Sequence, residues 1–318
     1  MTILACDLGG TRIKLGLVRD GALISIEVLP AHSDQPLRSR LDAVARSFRR
    51  LCDEAQIAIA SCAGLGVSFP SLVDAASAQV LDEHGKYRDA PGFDFRGWAQ
   101  DALGLPLAIE NDARMALIGE WRYGAGRGCD NLVMITLGTG LGTSAVIEGR
   151  VLRGKHGQAG CLGGHLTVRY EGRHCGCGNI GCAEAEASTS VLARLAHESG
   201  DFASSALARE SKVDYAAIFR LADADDPCAR RLRDHSLRVW SALAVSLVHA
   251  YDPEMLILGG GIMASGEAIL PCVRDYVRRH ARTPWGKVRV VASQLGDPAA
   301  LLACEWLVNE QLHGARQG

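Results

Sequence analysis

The sequence has no surplus of either charge: 34 Lys and Arg stand against 36 Asp and Glu, a formal net charge of −2 over 318 residues. Proteins that grip nucleic acid as their main task present a basic face, so this balance argues against that role and against direct nucleic-acid partners. No apolar run reaches the length of about 18 residues that suggests a transmembrane helix, and no membrane partner is expected. The opening Met1-Thr2-Ile3-Leu4-Ala5-Cys6-Asp7 has neither the basic segment nor the apolar core of a secretory signal, so the expected compartment is the cytoplasm. No low-complexity linker divides the chain.

What is present is ordinary globular composition, with 48% hydrophobic and 22% charged residues. At roughly 150 residues per domain, the length suggests two domains, each large enough for its own core. There are 11 cysteines, an odd number in a chain too long to need disulfide staples. Cys6, Cys52, Cys62, Cys272 and Cys304 stand alone among small apolar residues, where a reduced thiol packs as a small hydrophobe. Cys175, Cys177 and Cys182 crowd together and need another explanation.

Apolar patterning gives strands alternating with helices, hence an α/β fold. Ile3 to Asp7, Ile13 to Val18 and Leu23 to Leu29 read as strands joined by tight turns, with Asp20-Gly21 suited to a hairpin. Leu37, Leu41, Val44, Phe48 and Leu51 mark one face of a helix. Short strands at Ala63–Phe69 and Leu107–Glu110 follow, the second running into Asn111-Asp112 and a helix through Trp121. Near Asn131 the opening restarts in kind: Leu132–Leu137, a turn at Gly138-Thr139-Gly140, then Thr143–Ile147. A Gly- and Cys-rich loop fills 153–182. A long helical pattern spans Leu232–Val248, and Met255–Leu258 ends in Gly259-Gly260-Gly261. A helix near 266–280, a strand at Val288–Val291 and a last helix from about Pro298 complete the chain.

Two turns share a chemical scheme. Asp7-Leu8-Gly9-Gly10-Thr11-Arg12-Ile13-Lys14 and Leu137-Gly138-Thr139-Gly140-Leu141-Gly142-Thr143 each deliver glycines and a threonine from a strand. Without Cβ atoms in the way, backbone N–H groups converge on an anion, and the hydroxyl adds a donor. Either turn alone reads equally as a hairpin; two, each opening one half, favour a nucleotide between two lobes. Neither has the spacing of a P-loop or a dinucleotide-binding turn. Asp7 beside phosphates is tolerable only with a bound Mg²⁺ or water ordered by it. Asn111-Asp112 reads first as a helix start, with Asn111 as cap and Asp112 in the first turn. Three thiols in a reduced compartment on a loop carrying Gly176, Gly178 and Gly181 make either a metal site or a redox site, and the short glycine-rich loop favours metal, zinc by ligand type.

Asp7-Leu8-Gly9-Gly10-Thr11, Glu110-Asn111-Asp112-Ala113, Leu137-Gly138-Thr139-Gly140-Leu141-Gly142 and Cys175-Gly176-Cys177-Gly178-Asn179-Ile180-Gly181-Cys182-Ala183-Glu184 occur in that order. Taken together they resemble the ROK family of repressors, open reading frames and sugar kinases, from Ile3 to the last helix. The resemblance implies a two-lobed actin-like ATPase fold, as in hexokinases, with a zinc loop in the larger lobe. It implies a small lobe of residues 1–112 plus about 298–318 and a larger lobe of 113–297, although the glycine stretch at 124–128 also suits a boundary. It implies ATP-dependent phosphorylation of a sugar, with Asp112 as general base and Asn111, Asp112, His165 and Glu184 contacting the sugar. Asp7, Gly9, Gly10, Thr11, Lys14, Gly138, Thr139, Gly140, Gly259 and Gly260 would hold ATP and its Mg²⁺. His165, Cys175, Cys177 and Cys182 would hold a structural Zn²⁺, with the adjacent His174 as rival fourth ligand. A homodimer is the expected assembly.

The sequence departs from the family pattern in one stretch. Where ROK sugar kinases carry Ala-Gly-Glu-x-Gly-His, this chain has Ala159-Gly160-Cys161-Leu162-Gly163-Gly164-His165, one residue longer, with Cys161 or Leu162 in place of the sugar-contacting glutamate. Pro70-Ser71 replaces the usual Pro-Gly. Altered sugar specificity is the first expectation and a catalytically weak or inactive sugar-binding regulator the second. Because the phosphate motif begins at Asp7, leaving no room for the N-terminal helix-turn-helix of ROK repressors, such a regulator would act through a protein partner. A zinc-ribbon nucleic-acid binder is disfavoured by the charge balance and the single Cys cluster.

Overall fold

The computed structural model describes residues 1–82 and 85–314. In chain order the strands are β1 (Ile3–Leu8), β2 (Arg12–Arg19), β3 (Ala22–Pro30), β4 (Leu65–Phe69), the short pair β5 (Val73–Asp74) and β6 (Gln79–Val80), β7 (Leu107–Asn111), β8 (Leu132–Leu137), β9 (Leu141–Ile147), β10 (Arg150–Val151), β11 (Met255–Gly259) and β12 (Arg289–Ala292). The helices are α1 (Arg38–Glu54), α2 (Phe95–Leu103), α3 (Asp112–Tyr123), α4 (Ala183–Ala187), α5 (Thr189–His197), α6 (Tyr215–Asp223), α7 (Pro227–Tyr251), α8 (Gly266–His280) and α9 (Ala299–Val308). Among the described residues no helix is long and apolar enough to cross a membrane.

The chain forms two compact units. The first comprises Met1–Arg127, Arg153–Ala159 and Leu295–Gly318, of which 315–318 lie outside the described residues. The second comprises Gly128–Leu152 and Gly160–Gln294. The division falls within the glycine stretch after α3 rather than at residue 112, because α3 packs on α9. Gly119 permits that approach: a β-carbon there would lie 2.2 Å from the Ala299 carbonyl oxygen. Residues 153–159 also join the first unit, a segment that sequence reasoning assigns to the larger lobe.

Each unit is built on a five-stranded sheet of the same plan. The first runs β3-β2-β1-β4-β7, with antiparallel β3/β2 and β2/β1 and parallel β1/β4 and β4/β7. The second runs β10-β9-β8-β11-β12, again antiparallel on one side of the first strand and parallel on the other. The repeated opening seen in the sequence is therefore a repeated topology, and each glycine–threonine turn joins the central strand to its antiparallel neighbour.

The first core fills the space between the sheet and α1, with Leu4, Cys6, Leu15, Phe48, Val67 and Ile109 among its members. Helix α9, buried along nearly its whole length, packs against β1, β2 and β4. Its Glu305 accepts the N–H groups of Asp20 and Gly21, both at 2.7 Å, and the Tyr123 hydroxyl at 2.9 Å. That carboxylate caps the β2–β3 hairpin. The second core gathers α6, α7 and α8 against β8 and β11; Trp240 lies at its centre and donates its indole N–H to the Ala187 carbonyl at 3.0 Å. Asp226 caps α7, accepting the Ala229 N–H at 2.9 Å, and Pro227 suits the first helical position. Cys6, Cys52, Cys62 and Cys304 are buried as expected, whereas Cys272, on α8, is only half-buried.

Candidate active site and metal centre

In the first unit the β1–β2 turn carries Gly9, Gly10 and Thr11, with Asp7 one residue from the end of β1. Asp7 accepts the Ser68 hydroxyl at 2.8 Å and lies 3.5 Å from the Lys14 ammonium, itself 3.3 Å from Asp297. Burial pushes the Asp7 carboxyl above its usual range, against the pull of Lys14 and the Ser68 hydrogen bond. A desolvated carboxylate of this kind suits a hydrated divalent cation. The turn is anchored from below: Tyr87 donates its hydroxyl to the Gly9 carbonyl at 2.9 Å, and Ser33 donates to the Gly10 carbonyl at 2.7 Å. Thr11 stands exposed on the turn.

Asn111 ends β7 and caps α3. Its side-chain oxygen accepts the N–H groups of Ala113 at 3.1 Å and Arg114 at 3.2 Å. Its amide nitrogen donates to the Ser71 carbonyl at 2.9 Å and to Asp112 Oδ1 at 3.0 Å. These four bonds use the whole hydrogen-bonding capacity of a buried amide. Asn111 thereby caps α3, as its place in the sequence suggests, and also positions Asp112. Asp112 itself reaches solvent. Protein nevertheless crowds it enough that desolvation pushes its carboxyl up to about 6; Lys86 opposes the shift and Asp7 adds to it.

Several contributors lie outside the expected site residues. Glu110 Oε1 accepts the Asn111 N–H at 2.9 Å and Arg114 Nη1 at 3.1 Å, while Oε2 accepts Arg153 Nε at 2.6 Å. Arg114 Nη2 then donates to the carbonyls of Gly157 and Ala159, both at 2.8 Å. The helix start that bears Asp112 is thus tied to residues 153–159. Lys86 lies over Gly10, its Nζ 3.6 Å from the position a β-carbon would take there. The i,i+4 spacing of Glu110 and Arg114 was a readable signal; Lys86 had none.

In the second unit the β8–β9 turn is held by α5, whose Thr189 and Ser190 N–H groups donate to the carbonyls of Gly138 and Thr139, both at 3.1 Å. Gly260 has φ +90° and packs against Leu137, where a β-carbon would lie 2.3 Å from the carbonyl oxygen. Glycine is required there, and it brings Gly259-Gly260 against the start of the turn. Glu184 accepts the Leu141 N–H at 2.9 Å and lies 4.0 Å from His165 Nδ1. Gly138, Thr139, Gly140, Glu184, Gly259 and Gly260 therefore converge within this unit.

His165 Nδ1 is 3.6 Å from Cys175 Sγ, and Cys177 Sγ is 3.7 Å from Cys182 Sγ. All four donor atoms lie within 4.8 Å of one another. A tetrahedron with Zn–S bonds of about 2.3 Å has edges of about 3.8 Å, so the donor set and its spacing fit zinc. The rival His174 is exposed and pairs through its backbone with Ile180. Buried Glu186 anchors the loop by accepting the Arg173 N–H at 2.7 Å and Arg173 Nη1 at 2.8 Å. In the departing stretch, Thr143 accepts the Gly163 N–H at 2.7 Å and donates to the Gly160 carbonyl at 2.5 Å. Cys161 is buried and Leu162 half-buried.

Known proteins resemble this one over whole chains. A glucokinase of Halalkalibacterium halodurans is 29% identical over 322 residues, covering 98% of this chain and 96% of that one. The crystal structure of a ROK hexokinase from Thermus thermophilus matches with a TM-score of 0.80 at 32% identity, covering both chains completely. A ROK family glucokinase from Streptomyces griseus, in complex with glucose and AMPPNP, matches with a TM-score of 0.78 at 30% identity, covering 96% of this chain and 98% of that one. The ROK family model itself matches residues 3–311, and the chain belongs to the ROK family.

Proposed function

We propose that this protein is an ATP-dependent sugar kinase that transfers the γ-phosphoryl group of ATP to a hydroxyl of a hexose or hexose derivative. The observation that carries this reading is Asp112, held at the start of α3 by Asn111, with a carboxyl raised to about 6 beside Asp7 and Lys86. A carboxylate with this poise accepts a proton near neutral pH. In the reaction the sugar oxygen forms a bond to the γ-phosphorus, the bond from that phosphorus to the bridging oxygen breaks, and ADP leaves with the electron pair. Asp112 takes the hydroxyl proton. Phosphoryl transfer asks little more of a protein than alignment and charge stabilisation.

The β1–β2 turn, Lys14 and the Gly138–Gly140 turn with Gly259-Gly260 are the proposed ATP contacts. Asp7 would hold Mg²⁺ through water, and the ion supplies neutralisation of phosphate charge. Asn111, Asp112, His165 and Glu184 are the proposed sugar contacts, with Asn111 also positioning Asp112. Zn²⁺ on His165, Cys175, Cys177 and Cys182 would be structural: four protein donors would complete a tetrahedral set, and the ion would fix the orientation of the loop that carries His165 and leads into Glu184. Reduced thiols and ATP both suit the cytoplasm, and a homodimer is the proposed assembly. The loss of the glutamate at 161–162 favours a second reading, a sugar-binding regulator of low activity. Sugar-dependent ADP release separates the two readings.

A further inference from the structure

The Lys86-Tyr87 dipeptide is bolted to the β1–β2 turn. Tyr87 is fully buried, its ring 6.0 Å from that of Phe69. Its hydroxyl donates to the Gly9 carbonyl at 2.9 Å and its N–H donates to the Ser33 carbonyl at 2.7 Å, while Ser33 closes the cycle on Gly10. This cycle fixes the backbone of residue 86 against the turn. The half-buried Lys86 side chain then lies across Gly10, with Cε 3.1 Å and Nζ 3.6 Å from the β-carbon position. Lys86 is also the strongest cationic influence on Asp112. One ammonium ion thus serves both the turn suited to phosphate and the carboxylate suited to the proton.

We propose that Lys86 is a catalytic residue of this protein, its ammonium ion contacting the terminal phosphate of ATP over Gly10 and stabilising the charge that develops during transfer. The proposal rests on the kinase reading and adds to it a residue outside every recognised motif. Lys86 exchanges no proton in this step: the proton of the sugar hydroxyl goes to Asp112, the γ-phosphoryl group goes to the sugar oxygen, and ADP carries away the electron pair. A point charge on a flexible stem can follow the phosphoryl group as it moves, and preorganised charge is most valuable where charge develops.

The test compares wild type with Lys86→Met and Lys86→Arg. In turnover assays, Lys86→Met should lower kcat by about 10²–10³-fold, as loss of a preorganised transition-state donor does, with Lys86→Arg recovering part of it. Isothermal titration with ATP and with ADP supplies a readout that needs no turnover. Loss of a charge-assisted contact to the terminal phosphate should weaken ATP about tenfold or more and leave ADP nearly unchanged. Equal effects on ATP and ADP, or kcat within twofold of wild type, would overturn the proposal. A wild type that binds ATP but phosphorylates no sugar would overturn the kinase reading, and the ATP-to-ADP ratio would still decide whether Lys86 touches the terminal phosphate.

Discussion

Arg114 and Glu110 form an ion pair, Nη1 to Oε1 at 3.1 Å, with both side chains wholly excluded from solvent. Breaking a buried pair by removing one partner leaves the other charge desolvated, at a cost of about 3–5 kcal/mol. Arg114→Met should therefore lower the unfolding free energy by that order, read from denaturant midpoints, because Glu110 keeps Arg153 and the Asn111 N–H but loses its wholly buried cation. The double variant Glu110→Gln with Arg114→Met should recover part of the loss. A single-variant effect under about 1 kcal/mol would place this network among replaceable contacts.

As the proposed base, Asp112 should set the acid limb of the pH profile. Its carboxyl is raised from 3.8 towards about 6, chiefly by desolvation, and a base works only when deprotonated. kcat/KM should therefore fall as pH drops through about 6, and Lys86→Met should move that midpoint up. The stability sign is opposite to that of a salt-bridged acid: folded Asp112 holds its proton more tightly than unfolded Asp112, so stability falls as pH rises from about 4 to about 6. Asp112→Asn should abolish that fall while lowering kcat by at least about 10²-fold. An acid limb unchanged in Asp112→Asn would reassign the base.

The Cys/His cluster predicts about one zinc per chain in metal analysis. Cys177→Ser should lose the metal and lower the melting temperature, and chelation of the wild type should do the same. Stoichiometric metal retained after replacing Cys175, Cys177 and Cys182 together by serine would contradict the assignment.

Sugar choice is where relatives and residues pull apart. Several relatives are named glucokinase, whereas this chain has Cys161-Leu162, with no carboxylate, in the segment leading to His165. Cys161 is buried and Leu162 half-buried, and with either in the missing position that wall offers no carboxylate. Glucose and its N-acetyl derivative should then be poor substrates beside some other sugar, since an unpaired hydroxyl costs about 1–3 kcal/mol. Leu162→Glu, with one glycine of Gly163-Gly164 deleted, should shift preference back toward them. Efficient glucose phosphorylation by the unaltered protein would show that another group supplies the contact.

Much of this was legible because short-range patterning encodes it. Strand-turn alternation located β1, β2, β8 and β9 with their glycine turns, and Asn111-Asp112 announced a capped helix. Spacing made Cys175, Cys177 and Cys182 a cluster. What stayed hidden depends on contacts between residues far apart in sequence. Nothing local to Lys86-Tyr87 says that the tyrosine hydroxyl will find Gly9, 78 residues earlier. Nothing local to residues 153–159 says that Arg114 will claim their carbonyls, which is what draws that segment into the first unit. The capping role of Asn111 was visible, but its full commitment appears only when Ser71 arrives from another strand's end.

The most direct test of the central claim is ADP formation by the zinc-loaded wild type, with ATP and Mg²⁺, across hexoses, amino sugars and their N-acetyl derivatives, with Asp112→Asn run in parallel. The account predicts ADP release that depends on at least one sugar, saturates with it, yields a sugar phosphate in equal amount and falls at least about 10²-fold in Asp112→Asn. Sugar binding by a folded, zinc-loaded wild type with no sugar-dependent ADP release across the panel would contradict it.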